Sequence, residues 1–97
     1  MRIIARRTLR EFWEQHADSR QALQAWYHDV KRAKWKTPDD IKIEYRNASF
    51  VGNNRVIFNI KGNRYRLVIA VKYQHEIVYI RFVGLHKDYD KIDAATI

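Results

Sequence analysis

Residues 55–85 constrain the fold of this chain more than any other segment. Within residues 55–60, the apolar set Val56, Phe58 and Ile60 alternates with Arg55, Ile57 and Asn59, which is the two-residue period of a β-strand. Lys61-Gly62-Asn63-Arg64 then predicts a two-residue Gly-Asn turn into the next strand. Residues 65–73 and 76–85 are rich in Val, Ile, Tyr and Phe, with Gln74-His75 as the turn between them. The segment therefore predicts three adjacent antiparallel strands.

The first third of the chain has helical periodicity instead. Apolar residues recur at helical spacing over 8–17 and again over 19–35, which predicts two amphipathic helices joined by a short link. Thr8 and Glu11 have the spacing of a capping box for the first helix, and Asp18 or Ser19 is expected to cap the second. Ile3 and Ile4 predict a brief strand before the helices.

The middle of the chain links the two halves. Thr37-Pro38 is typical of a helix cap followed by proline at the first helical position, so residues 39–42 are expected to form one short turn. Phe50 and Val51 predict a short edge strand, followed by a turn at residues 52–54. The expected fold is α+β: an N-terminal helical hairpin packed on one face of a mostly antiparallel β-sheet, in a single domain spanning residues 1–97.

Composition limits the possible partners. A chain of 97 residues has material for one core, and its net charge of +8 favours a polyanionic partner, although solubility is the simpler explanation of such a charge. The absence of cysteine fits a reducing compartment. Neither a signal sequence nor a membrane span is visible, so the expected location is the cytoplasm, with no membrane partner.

Cations occur within and beside the predicted strands. Strand alternation places Arg64 and Arg66 on one face, where they form either a binding surface or a pair of solvated charges that block edge pairing. Arg81 interrupts the apolar run YIRFVG and needs either a cleft or a carboxylate partner, with Glu44 or Glu76 as candidates.

The segment after the last strand carries groups that can do chemistry. His86 titrates near neutral pH and can transfer a proton, while Lys87 and Tyr89 can bind phosphate or stack on a base. The simpler alternatives are a surface histidine and a tyrosine that docks the last turn. No metal-ligand spacing, glycine-rich phosphate loop or nucleophile elbow is present. The chemistry that remains for a basic site without metal or cysteine is attack of a ribose 2′-hydroxyl on its adjacent phosphate. This reaction requires only orientation, charge stabilisation and proton transfer.

The chain contains, in order, TLREFWEQH, a second helix with AWY, FN-x-x-GN-x-YRL, YIRFVG and H-x-x-YDKI. This ordered set resembles the HigB family of bacterial toxins, within the RelE/ParE superfamily. The resemblance covers essentially the whole chain and implies a RelE-like fold. It also implies a ribosome-dependent endoribonuclease (mRNA interferase) that needs no cofactor or metal. The implied partners are the ribosome, mRNA and a helix-turn-helix HigA-type antitoxin, through which the complex contacts operator DNA.

The resemblance also implies roles for particular residues. Arg66 matches the strand arginine that stabilises the transition state, and His86 and Tyr89 match the segment that supplies proton transfer and base stacking. The candidate RNA- or phosphate-binding residues are Lys61, Arg64, Arg81 and Lys87. This chain departs from the expected T-H-x-E-Y-D-K pattern at Leu85 and Asp88, and Leu85 removes a hydroxyl beside the histidine.

Two other functions remain open at this point. The ParE-like branch of the superfamily inhibits gyrase without cutting RNA, and the same basic face would also serve a regulator that only binds RNA. Intact transcripts during expression would indicate either of these two functions. Harmless overexpression without an antitoxin would instead indicate a third, a structural RNA-binding module with no toxicity.

Overall fold

The computed structural model describes residues 1–97 and contains four helices and five strands. In chain order they are β1 (Arg2–Ile4), α1 (Arg6–Gln15), α2 (Arg20–Arg32), α3 (Pro38–Glu44), β2 (Ser49–Val51), β3 (Arg55–Ile60), β4 (Tyr65–Lys72), β5 (Ile77–Leu85) and α4 (His86–Tyr89). The expected α+β class is confirmed, as are the brief first strand and the short strand β2.

All five strands form one mixed sheet in the order β1-β5-β4-β3-β2. The pairs β2–β3, β3–β4 and β4–β5 are antiparallel, whereas β1 lies parallel to β5 at one edge. The central strands are therefore β5, β4 and β3, the three predicted from residues 55–85.

The two faces of the sheet differ in what covers them. Tyr65, Leu67, Ile69 and Val71 of β4 belong to the main core, together with Leu9 and Trp13 of α1 and Leu23, Trp26 and Val30 of α2. Because successive side chains of a strand alternate between faces, Val68 points the other way and packs with Ile57 of β3. The helical hairpin thus covers one face, as expected, and leaves the opposite face to residues from the end of the chain.

The opposite face has a small second core built by the residues after α4. Ala94 is buried against Ile57 and Val68, with Phe82, Tyr89 and Ile97 packed around them. The Asn53 amide donates to the Ala95 carbonyl oxygen at 2.8 Å, and Nε of Arg55 donates to the Ile97 oxygen at 3.0 Å. The sequence patterns gave no sign of this return of the chain across the sheet.

The helix ends differ from the predicted ones. Helix α1 begins at Arg6 after an extended Ala5, and the amide of Thr8 already donates to the Ala5 carbonyl, so the expected cap by Thr8 with Glu11 is wrong. Helix α2 ends at Arg32 rather than near residue 35, because Ala33 is extended (φ −70°, ψ 154°). Ser19 precedes α2 but its hydroxyl donates back to the His16 carbonyl instead of capping the helix.

The cap at Thr37 is confirmed, and it starts a longer element than expected. The Thr37 side chain accepts from the amide of Asp40, and the Asp40 carboxylate accepts from the amide of Thr37, which is a complete capping box with Pro38 in the first turn. These contacts stabilise a seven-residue helix in place of the single turn predicted over 39–42.

The β3–β4 connection also differs in detail. Ile60 and Tyr65 are the last paired residues, so four residues connect the strands. The left-handed backbone conformations fall at Lys61 (φ 53°) and Gly62 (φ 66°), one residue earlier than the predicted Gly62-Asn63 turn requires.

No helix in the chain is long and apolar enough to span a membrane.

Candidate active site

Arg81 is the extra residue of a β-bulge in β5. Val68 of β4 pairs with Phe82, whereas the next residue, Ile69, pairs with Ile80, so Arg81 has no partner. The bulge reverses the alternation of side chains: Ile80 packs on the main core and Phe82 on the second core. Arg81 itself is exposed, with its guanidinium carbon 5.5 Å from the Tyr79 ring centroid. The ion pair considered with Glu44 or Glu76 is absent.

Gly84 leaves room for the ring of Phe82 beside Arg66. The register of β4 and β5 pairs Gly84 with Arg66. A Cβ atom at Gly84 would lie only 2.6 Å from Cζ of Phe82, so the ring occupies the space of the missing side chain. Phe82 therefore lies next to the Arg66 position and forms the apolar side of a small surface there.

Arg66 and His86 are in direct contact on this surface. Nη2 of Arg66 lies 2.8 Å from Nε2 of His86, and Nδ1 of His86 lies 3.3 Å from Oδ2 of Asp90. A guanidinium can only donate, so in this arrangement Nε2 accepts the hydrogen bond and carries no proton. The neutral imidazole that fits this contact carries its proton on Nδ1, the ring nitrogen near the Asp90 carboxylate.

Tyr89 completes the group. The guanidinium carbon of Arg66 lies 5.6 Å from the Tyr89 ring centroid, a cation–π distance, and the ring centroids of His86 and Tyr89 are 6.4 Å apart. Tyr89 also packs on the second core through Phe82, as the docking alternative expects. The structure thus brings together Arg66, His86 and Tyr89, the three predicted catalytic residues.

The segment after β5 is a short helix rather than the loop expected from the sequence. The amide of His86 donates to the Arg64 carbonyl at 3.3 Å, and the amide of Asp90 donates to the His86 carbonyl at 3.1 Å. One helical turn places side chains i and i+4 side by side, which is why Asp90 reaches His86. Asp90 had no assigned role from the sequence, although its spacing from His86 would have indicated the contact had a helix been expected.

Arg64 does not share the surface of Arg66, and that prediction is wrong. Its Nη1 lies 3.3 Å from Oδ2 of Asp18, in the link between α1 and α2, because Arg64 belongs to the connecting loop and not to the strand. The Tyr65 hydroxyl donates to the same carboxylate. This hydrogen bond, with the charges of Arg64 and Lys61, lowers the pKa of Asp18, and it raises the pKa of Tyr65.

The remaining predicted contacts lie around the site. Lys87 is exposed on α4, one residue after His86. Lys61 is exposed in the β3–β4 loop, where its charge acts on Asp18. The chain has no group of three or more His, Cys, Asp or Glu side chains placed to hold a metal ion. The Arg66–His86–Tyr89 group, with Asp90 behind the imidazole, offers a cation, a proton acceptor and an aromatic face on one surface.

Comparison with known proteins adds the family. Residues 19–92 match the sequence model of the HigB_toxin family, described as the RelE-like toxic component of a toxin-antitoxin system. Across 93 residues the chain is 27% identical to the mRNA interferase toxin HigB of Escherichia coli (strain K12), which covers 93% of this chain and 88% of the relative. The mRNA interferases HigB of Escherichia coli O157:H7 and Shigella flexneri match to the same extent. This chain therefore belongs to the HigB_toxin family of RelE-like toxins from toxin-antitoxin systems.

Proposed function

We propose that this toxin is an mRNA interferase: a ribosome-dependent endoribonuclease that cleaves translated mRNA without a metal ion. The observation that carries the proposal is the contact of 2.8 Å between Nη2 of Arg66 and Nε2 of His86. It places a guanidinium, which binds phosphate, against an imidazole nitrogen that can accept a proton once Arg66 turns away from it. The relatives named mRNA interferase support the same activity.

The reaction that suits these groups is an internal transphosphorylation. The neutral Nε2 of His86 takes the proton of a ribose 2′-hydroxyl as its oxygen attacks the adjacent phosphorus. The bond from phosphorus to the 5′ oxygen breaks, this oxygen takes a proton from water, and a 2′,3′-cyclic phosphate is left. The hydroxide formed from that water takes the proton from the His86 imidazolium, which returns the histidine to its neutral form. Arg66 turns from the imidazole to the phosphate and stabilises the extra negative charge of the transition state. Asp90 stabilises the imidazolium that forms.

The other residues serve binding. Tyr89 presents a ring on which a base can stack, and Lys87 is an exposed cation beside the site that can contact a neighbouring phosphate. Arg81 lies further along the sheet, beyond Phe82, and Lys61 and Arg64 lie at the β3–β4 loop. We assign these three cations to the RNA backbone rather than to the reacting phosphate.

The biological setting follows from the family. The net charge of +8 suits ribosomal RNA and an acidic segment of an antitoxin equally. We propose that a HigA-type antitoxin neutralises the toxin, that operator DNA is contacted only through that antitoxin, and that the toxin acts in the cytoplasm, where mRNA is translated. Residues 1–97 act as a single RelE-like domain.

Mapping of RNA 5′ ends shortly after induction tests the proposal. Cells express the toxin without its antitoxin, beside cells that express Arg66→Ala. We expect new 5′ ends at fixed positions within translated codons for the wild type, and none for Arg66→Ala or in messages whose translation is blocked. Arrested growth with intact transcripts would refute the nuclease. Binding of Arg66→Ala to the antitoxin confirms that the variant is folded.

A further inference from the structure

A groove follows the part of β3 that β2 leaves uncovered. Strand β2 pairs only with residues 55–57, so residues 58–60 have a strand neighbour on one side only. The chain before β2 does not continue the pairing, and a cavity of about 580 Å³ opens between it and the β3–β4 loop. This volume lies within the range of about 300–1,000 Å³ that is usual for small-molecule sites.

The lining of the groove is rich in side-chain amides. Asn47, Asn59 and Asn63 line it together with Arg46 and Glu44. A phosphate site needs an excess of cations, whereas here one guanidinium is matched by one carboxylate. Each amide offers both donors and an acceptor, the combination that base edges require. The chemistry of the lining therefore fits a nucleobase better than a second phosphate.

The wall of the groove is aromatic. Tyr45 and Phe58 line it, with their ring centroids 5.1 Å apart. The Tyr45 hydroxyl donates to Oδ2 of Asp29 at 3.4 Å, and burial, followed by that nearby carboxylate, raises the pKa of Tyr45. Because Phe58 is only 2% exposed, the part of this wall that a base can reach is the partly buried ring of Tyr45.

The groove is continuous with the candidate active site through Asn59. Asn59 pairs with Arg66 in the antiparallel register, and directly opposed residues have their side chains on the same face of the sheet, with Cβ atoms about 4.5–5.5 Å apart. Asn59 is exposed. A nucleotide whose phosphate contacts Arg66 can therefore place its own or an adjacent base at Asn59.

We propose that this groove binds a nucleobase next to the cleaved phosphate, and that Asn59 and Asn63 determine which base is accepted. The inference rests on the proposed function and adds to it the sequence preference of the cut. An extended antitoxin segment pairing with the β3 edge is the competing occupant. The uncovered edge is only three residues long, which favours the base.

The test compares the bases around the cuts. Wild type, Asn59→Ala, Asn63→Ala and the control Gln21→Ala are expressed without antitoxin, and their 5′ ends are mapped. Gln21 is an exposed amide on α2, outside the groove. We expect the preference at one position beside the cut to fall at least about fivefold in one or both asparagine variants, the discrimination that one pair of base contacts provides. The control retains the wild-type preference.

Each other outcome overturns the inference in a recognisable way. Unchanged base preferences in both folded asparagine variants would show that the groove does not read RNA. Unchanged preferences with weakened neutralisation by the antitoxin would assign the groove to a peptide instead. Absence of any cleavage by the wild type would remove the proposed function itself. Thermal unfolding of each purified variant, followed by circular dichroism, establishes that the comparison is made between folded proteins.

Discussion

Nε2 of His86 lies 2.8 Å from Nη2 of Arg66 and accepts its hydrogen bond, while Nδ1 lies 3.3 Å from the Asp90 carboxylate. The two flanking groups fix both the ring and its tautomer. In the proposed reaction, Arg66 turns from this ring to the phosphate, and His86 then acts as the base. The proposed base is therefore in contact with both of its neighbours through its two ring nitrogens.

The tautomer can be observed directly. In the free protein we expect ¹⁵N NMR at a pH where the imidazole is neutral to show the proton of His86 on Nδ1. Asp90→Ala removes its acceptor and should increase the Nε2–H form, because Nδ1 then has no partner. His28, an exposed histidine on α2, is the internal control whose spectrum should not change. A wild-type proton on Nε2 would contradict the observed geometry.

Arg66→Lys tests whether charge alone is sufficient. Lysine keeps the positive charge but lacks the planar pair of donors that grips a phosphate. We expect the cleavage rate to fall by about 10²–10³, as for the loss of one transition-state donor. Lys87→Ala is the matched control, since it removes an exposed cation one residue from His86 and should cost less than about tenfold. Cleavage by Arg66→Lys within a few-fold of the wild type would mean that the positive charge alone is sufficient.

His86→Gln separates contact from proton transfer. The glutamine carbonyl can still accept from Arg66, so we expect the protein to remain folded while cleavage falls by about 10²–10⁴, the usual contribution of a general base. Single-turnover cleavage of mRNA on programmed ribosomes is the measurement. A variant that retains cleavage within a few-fold of wild type would exclude His86 as the base.

The three-strand segment, the helical hairpin and the cap at Thr37 could be predicted because each depends on local periodicity or on a single hydrogen-bonding motif. The bulge at Arg81 could not, since a shift of register depends on which faces of two distant strands must be buried. The error over Arg64 has a similar origin: strand alternation was applied to a loop residue. Asp90 was overlooked because its contact with His86 exists only if the segment is helical.

Gly84→Ala should displace the Phe82 ring, which forms the apolar side of the surface at Arg66, and should lower the stability of the protein. The new Cβ would lie 2.6 Å from Cζ of Phe82, so the ring must move, and overpacking of this kind costs about 1–3 kcal/mol. Replacing a strand glycine by alanine returns about 0.5–1 kcal/mol of this. We expect a net loss of about 1–2 kcal/mol in urea unfolding. Phe82→Leu should cost less in the Gly84→Ala background than in the wild type, and strict additivity would show that the two residues do not clash.

The Asp18–Tyr65 hydrogen bond should make stability depend on pH in a defined window. The pKa of Asp18 is lowered on folding, so its contribution is present above the unfolded value near 3.8 and is lost as the pH falls through the folded pKa. The pKa of Tyr65 is raised, so its contribution is present below 10.0 and is lost as the pH rises through its folded pKa. Unfolding of wild type and Tyr65→Phe across this range measures the difference. We expect Tyr65→Phe to be less stable at neutral pH and the two proteins to converge towards both extremes, whereas a constant difference would mean that the hydroxyl is not bound to the Asp18 carboxylate.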